Sequence, residues 1–187
     1  MMTRRNRRLV SAVLAVVALA GGGLASAAAL GLNDPPPSKD FKAHLNGYQE
    51  TPSSISTTGF GEFRAKLVDD NTLHFVFTYG GLEGGTSLFA HVHFGARSTG
   101  GGVSFFLCGP IANAPVTCPD VEGVIEGDIT AANVIGPNGQ GIEPGSFGEI
   151  LRAMRAGTAY VNIHTTRWPS GEIRGQINDP DQKQYED

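Results

Sequence analysis

The sequence predicts an all-β fold: an antiparallel β-sandwich or flattened barrel of about eight short strands, with one short helix. Apolar and polar residues alternate over many short segments, which is the pattern of half-buried strands. Glycine is abundant, at 26 of 187 residues, and glycine-rich turns separate several of these segments. Only one segment carries the spacing and end signals of an α-helix.

The predicted strands follow one another at short intervals. In residues 63–67 and 73–79 every second position is apolar, and a polar turn at 69–71 separates them, which predicts a β-hairpin. Short apolar runs bounded by turn residues predict six further strands, near residues 41–45, 87–94, 103–107, 124–129, 159–164 and 172–177.

The predicted helix follows Ser146. Ser146 and Glu149 have the spacing of a capping box, and Gly157 stands where a C-terminal glycine cap belongs. Between them lies an apolar stripe, formed by Ile150, Leu151 and Met154.

Residues 1–29 are predicted to be a signal peptide for secretion. A segment with four arginines precedes an apolar run that ends in small residues at 25–29. A permanent membrane anchor is the alternative, but the apolar run is short and broken by glycine, whereas a spanning helix needs about 20 apolar residues. Sec export is expected, and twin-arginine export is the weaker alternative, because the residues after the arginine pairs match the twin-arginine pattern poorly.

The remainder is predicted to form one domain with two short flanking segments. Residues 30–40 contain three consecutive prolines and read as a Pro-rich linker, residues 41–178 as the β domain, and residues 179–187 as an acidic tail. The domain is long enough to bury its own hydrophobic core.

The charge balance argues against two classes of partner. Removing the leader lowers the number of basic residues from 14 to 10, against 18 acidic residues, so the net charge falls from −4 to −8. An acidic surface repels phosphate backbones and anionic lipids, so we expect neither a nucleic-acid partner nor membrane binding after cleavage. The expected location is periplasmic or extracellular.

Cys108 and Cys118 are the only cysteines in the sequence. In an exported protein such a pair predicts a disulfide, which would stabilise the fold by about 3 kcal/mol in the chain-entropy model. A metal-binding cysteine pair is the alternative, but the spacing is much longer than CxxC.

The sequence lacks the common catalytic motifs. It contains no Gly-x-Ser-x-Gly elbow, and its glycine triplet at 100–102 precedes neither a helix nor a Lys-Ser/Thr pair, so it is not a phosphate loop. Most hydrolase and transferase classes are therefore disfavoured, and a non-enzymatic role is favoured.

One histidine pattern is a candidate site. His91 and His93 lie on the same face of a predicted strand, about 7 Å apart, while the alternate positions are apolar and face the core. The histidines are expected to face solvent or a polar layer. Two imidazoles in this arrangement can bind one metal ion, for which copper and zinc are the natural choices.

Two later strands extend this candidate site. In residues 160–165 the polar face carries Asn162 and His164, and in the last strand it carries Glu172 and Arg174. If these strands are neighbours, His164 completes a three-histidine site, with Asn162, Glu172 and Arg174 in supporting positions. The alternative is that the histidines cap turns and bond backbone groups without any metal.

Several motifs in chain order resemble the CHRD domain, named after the secreted protein chordin. They include the segments 41–45, 49–52, 90–95 and 107–108, followed by residues 118–119 and, most distinctively, 157–177. The resemblance implies an immunoglobulin-like antiparallel β-sandwich. It implies little about activity, and chordin's sequestration of growth factors is not carried over, because the cysteine-rich modules responsible for it have no counterpart here.

A local similarity to copper–zinc superoxide dismutase also exists. That family places a His-x-His on a β-sandwich strand with an arginine beside the copper, but no bridging histidine or zinc-binding loop is found here. The favoured function is an exported binding or structural module for a protein, a polysaccharide or a metal ion. The alternatives are a copper- or zinc-handling protein and a dismutase-like metalloenzyme that uses the same histidines.

Overall fold

The computed structural model describes residues 37–178. The predicted signal peptide (1–29), most of the linker and the acidic tail (179–187) lie outside the described residues. Within them the strands are β1 Asp40–Asn46, β2 Phe60–Asp69, β3 Thr72–Gly80, β4 Ser87–Phe94, β5 Gly102–Cys108, β6 Gly123–Ile129, β7 Ala159–Thr165 and β8 Ile173–Gln176. One helix, α1 Phe147–Arg155, precedes β7, and three short 3-10 turns lie at Gly47–Gln49, Ala131–Asn133 and Asn138–Gln140.

The strands form one antiparallel, barrel-like sheet in the order β5-β4-β7-β8-β1-β2-β3-β6. The predicted all-β fold of eight antiparallel strands and one helix is confirmed. The sandwich takes the form of a single curled sheet, in which the edge strands β5 and β6 come into contact.

The core lies on one face of this sheet and follows the predicted alternation. In the predicted hairpin, β2 and β3 pair with Phe63 opposite Phe77, and both rings are fully buried. Ala90 and Val92 of β4 and Ile163 of β7 are likewise fully buried in this core. The opposite face of β4, β7 and β8 is therefore free to carry the polar side chains described below.

The helix begins and ends where the sequence predicts, but the capping box is not formed. Ser146 occupies the N-cap position without a side-chain cap hydrogen bond. Glu149 instead makes an ion pair with Arg152, one turn further along the helix. The predicted glycine cap is present, since Gly157 has a φ of +66° and its N–H donates to the Met154 carbonyl.

The predicted disulfide between Cys108 and Cys118 is formed, with the two Cα atoms 5.0 Å apart. It ties the end of β5 to the segment that leads into β6, and Val116 makes a parallel bridge to Cys108 within the loop. The disulfide therefore reinforces the region where the two edge strands meet. No helix among residues 37–178 is long and apolar enough to cross a membrane.

Candidate metal centre

Strand pairing between β4 and β7 brings the three predicted histidines together. His91 lies opposite Asn162, and His164 lies opposite Phe89, two residues before His91. The ring of His91 is 4.4 Å from that of His93 and 4.5 Å from that of His164, measured between centroids. The antiparallel register thus gathers three imidazoles on the face of the sheet that points away from the hydrophobic core.

The histidines lie in a buried polar layer, not at the surface. His91, His93 and His164 are 3%, 8% and 6% exposed. Of the two surroundings expected from the sequence, solvent or a polar layer, the structure shows the second. Both faces of β7 and of residues 90–93 in β4 are buried.

Backbone carbonyls determine the tautomers of two of the rings. Nδ1 of His93 lies 2.8 Å from the Gly101 carbonyl oxygen, and Nδ1 of His164 lies 2.9 Å from that of Pro169. Since a carbonyl oxygen only accepts, each Nδ1 carries the proton and each Nε2 presents a lone pair. A hydrogen bond of this type is the usual means of orienting a metal-binding histidine.

Three ring nitrogens are left without a hydrogen-bond partner. They are Nδ1 of His91, Nε2 of His93 and Nε2 of His164, and all three are buried. The three histidines each offer a nitrogen within 4.8 Å of the others. Nitrogens bound to one tetrahedral metal ion at about 2.1 Å are about 3.4 Å apart. Small side-chain movements would therefore bring the three onto a common ion.

Burial keeps these imidazoles neutral. Desolvation, followed by the proximity of His93 and His164, lowers the pKa of His91 to about 2. Desolvation likewise lowers the pKa of His93 to about 4 and lowers that of His164. A neutral imidazole is the form that binds a metal ion, so the ligands need not lose protons at neutral pH.

Aromatic rings surround the histidine cluster. Phe106 meets His91 edge-on at 5.1 Å between ring centroids, and Phe89 lies 4.8 Å from His164. Tyr160 stacks on His93 at 4.5 Å with the ring planes 9° apart. Aromatic rings therefore form part of the wall around the cluster.

Asn162 and Arg174 lie in the same cross-strand row as His91. Asn162 is paired with His91 on one side and with Arg174 on the other. Asn162 opposes the lowering of the pKa values of both His91 and His93, so its side chain lies beside both rings. Its Oδ1 is buried without a hydrogen-bond partner.

Arg174 supports the covering loops. Its guanidinium stacks on Tyr160 at 3.5 Å and donates hydrogen bonds to the hydroxyl of Thr51 and to the carbonyls of Ala96 and Thr99. The arginine is 2% exposed, so its charge is enclosed between the sheet and these loops.

Glu172 lies apart from the histidine cluster. Its carboxylate accepts hydrogen bonds from the hydroxyls of Thr57 and Thr165 and from the backbone N–H groups of Glu83 and Gly84. β8 begins only at Ile173, so the strand alternation that groups Glu172 with Arg174 does not extend to it. The Glu172 carboxylate therefore stabilises the turn at residues 83–84.

Glu50 is the residue that the sequence analysis missed. It is 5% exposed, and its Oε1 is buried without a hydrogen-bond partner. Desolvation raises its pKa to about 7, against the opposing attraction of Arg174 and hydrogen bonding by Asn162. Glu50 also lines a cleft of about 360 Å³, together with Trp168. Its segment, 49–52, contributes to the family resemblance, but no periodicity indicates that the carboxylate turns inward.

These features define an all-β domain with a buried three-histidine cluster on the outer face of its sheet. A family model for the CHRD domain matches residues 41–177, so the chain belongs to the CHRD family. This confirms the resemblance found in the sequence. Searches of curated proteins and of solved structures found no match.

Proposed function

We propose that this protein is an exported, non-enzymatic binding module that holds one copper or zinc ion through His91, His93 and His164. One observation carries the proposal: three buried histidines, whose ligand nitrogens lie within 4.8 Å of one another, each leave a ring nitrogen without a hydrogen-bond partner. A buried polar atom left unsatisfied costs about 1–3 kcal/mol. A bound metal ion would satisfy all three nitrogens at once.

The hydrogen bonds to the rings support this proposal over a purely structural role. A histidine that serves only to bond backbone groups would use both ring nitrogens or expose the second one to water. His93 and His164 each use Nδ1 on a carbonyl and leave Nε2 buried without a partner, in a cluster whose ligand nitrogens lie within 4.8 Å of one another.

The disulfide is consistent with export. A disulfide between Cys108 and Cys118 persists in an oxidising compartment, and the expected signal peptide at 1–29 would direct the chain there. An enzymatic function receives no support from the residues assigned to it. Arg174 is enclosed by loop carbonyls and Glu172 is bound to a turn, so neither is presented to a substrate.

The test measures metal content and metal-dependent melting of the oxidised protein. One equivalent of copper or zinc and a raised Tm are expected for the native chain, and both should be lost in His91→Ala, His93→Ala and His164→Ala. The matched control is His74→Ala, since His74 is half-exposed, pairs with Asp128 and lies on β3, not on β4 or β7. Absence of binding, with no shift in Tm, would overturn the proposal and direct attention to protein or polysaccharide partners.

A further inference from the structure

We infer that the site selects the monovalent cuprous ion, Cu(I), over the dications Zn(II) and Cu(II). This inference rests on the metal-binding function proposed above and specifies its ligand. Imidazole accepts both zinc and copper, so the type of ligand atom does not decide between them. The charge and the burial of the site do.

The ligand set carries no negative charge. Within residues 37–178 the cluster of metal-ligating groups consists of His91, His93 and His164 alone, without a carboxylate or a thiolate. Three neutral imidazoles leave the full charge of the ion uncompensated. A dication would thus bring two positive charges into the layer, and Cu(I) one.

The burial of the site makes this difference large. The cost of moving an ion from water into a medium of low dielectric constant grows with the square of its charge, so a dication incurs about four times the cost of a monocation. The cluster is nearly inaccessible to solvent and is walled by Phe89, Phe106 and Tyr160. Asn162, the polar side chain beside two of the rings, is uncharged and cannot neutralise a dication.

The nearest fixed charges do not compensate a dication. Arg174 lies on Tyr160, which in turn stacks on His93, and its positive charge is felt at His93. Glu50 faces Arg174 and at most balances that charge. The surroundings therefore add no net negative charge to the site.

The number of ligands points the same way. Zinc in proteins is four-coordinate, and where the protein supplies three ligands a water molecule or a substrate takes the fourth position. Here the three histidines are the ligands, and the rings of Phe106 and Phe89 pack against His91 and His164. A three-coordinate ion such as Cu(I) needs no such fourth ligand, so it fits a buried site with three histidine ligands better than zinc does.

The experiment compares affinities in competition with chromophoric chelators. Cu(I) is titrated anaerobically, and Zn(II) and Cu(II) are titrated separately, each into the oxidised full chain. The expected Kd for Cu(I) is at least 100-fold below the Kd for either dication. An equal or tighter Kd for Zn(II) or Cu(II) would overturn this inference while leaving metal binding itself intact. If the protein withdrew none of the three ions from the chelators, the proposed function would be overturned as well.

A charge variant tests the cause of the selectivity. Asn162→Asp places a carboxylate of the same shape beside His91 and His93, and should lower the ratio of the Zn(II) Kd to the Cu(I) Kd at least tenfold. Asn71→Asp is the matched control, because Asn71 is exposed in the β2–β3 turn and adds the same net charge at the surface. An unchanged ratio in folded Asn162→Asp, verified by its melting transition, would overturn the charge argument. The affinities of the native chain test the selectivity even if this variant does not fold.

Discussion

Individual side chains in the polar layer divide into those that leave an atom free and those that are fully engaged. His91, His93 and His164 each leave a ring nitrogen unpartnered. Glu172, although equally buried, receives hydrogen bonds from four groups. The same degree of burial therefore indicates a binding site in one case and a structural anchor in the other.

Glu172→Gln should destabilise the fold without weakening metal binding. Hydrogen bonds to a charged acceptor contribute more than neutral ones, and the amide nitrogen of glutamine cannot accept from an N–H, so a loss of about 2–3 kcal/mol is expected. Chemical denaturation measures the free energy of unfolding, and metal titration measures the Kd.

Glu83→Gln is the control for this variant, because the Glu83 side chain is exposed and, among residues 37–178, accepts hydrogen bonds from Thr58 alone. It should change the free energy of unfolding by less than about 0.5 kcal/mol. If Glu172→Gln lowered the free energy of metal binding by more than it lowered the free energy of unfolding, Glu172 would instead belong to the metal site.

Strand alternation made most of the site predictable from sequence. A period of two in β4 and β7 separates the core residues from His91, His93, Asn162 and His164, and antiparallel pairing of these two strands completes the cluster. The alternation fails at Glu172, because the backbone leaves the strand pattern at Gly171, whose φ is +125°. Glu50 was missed because it follows a 3-10 turn, where no periodicity reports the direction of a side chain.

The covering loops depend on one side chain of β8. The planar fork of Arg174 reaches the hydroxyl of Thr51 and the carbonyls of Ala96 and Thr99 at once. These contacts connect the sheet to two loops that are far apart in the sequence. The loop at 95–101 in turn supplies the Gly101 carbonyl that orients His93.

Arg174→Lys should therefore loosen the loops while preserving the sheet. Lysine keeps the charge but lacks the fork, so it cannot make these contacts together or stack equally well on Tyr160. A loss of about 1–3 kcal/mol is expected. Hydrogen exchange should accelerate at 96–101 and remain unchanged in the β2–β3 hairpin. If the variant exchanged at the same rate as the native protein at residues 96–101, this role of Arg174 would be contradicted.

For the whole molecule, the buried titratable groups determine how stability depends on pH. The histidines have lowered pKa values in the folded state, so below about 6.5 the unfolded chain binds protons that the folded chain does not. Glu50 acts in the opposite direction: its pKa of about 7, against an ordinary value of 4.5, means that the folded chain binds a proton at a higher pH than the unfolded chain does. Three histidines oppose one carboxyl group, so acid should destabilise the metal-free protein.

The metal-free protein should accordingly lose stability as the pH falls below about 6.5, by about 1.4 kcal/mol per pH unit for each net proton taken up on unfolding. Glu50→Gln removes the opposing group, so its stability should fall more steeply than that of the native chain between pH 6.5 and 4.5. Urea denaturation in the presence of a chelator, at several values of pH, measures both slopes. Glu122→Gln, at an exposed position, is the control and should retain the native slope. Equal slopes in Glu50→Gln and the native chain would show that Glu50 ionises alike in the folded and unfolded states, and hence that the polar layer is wetter than its burial implies.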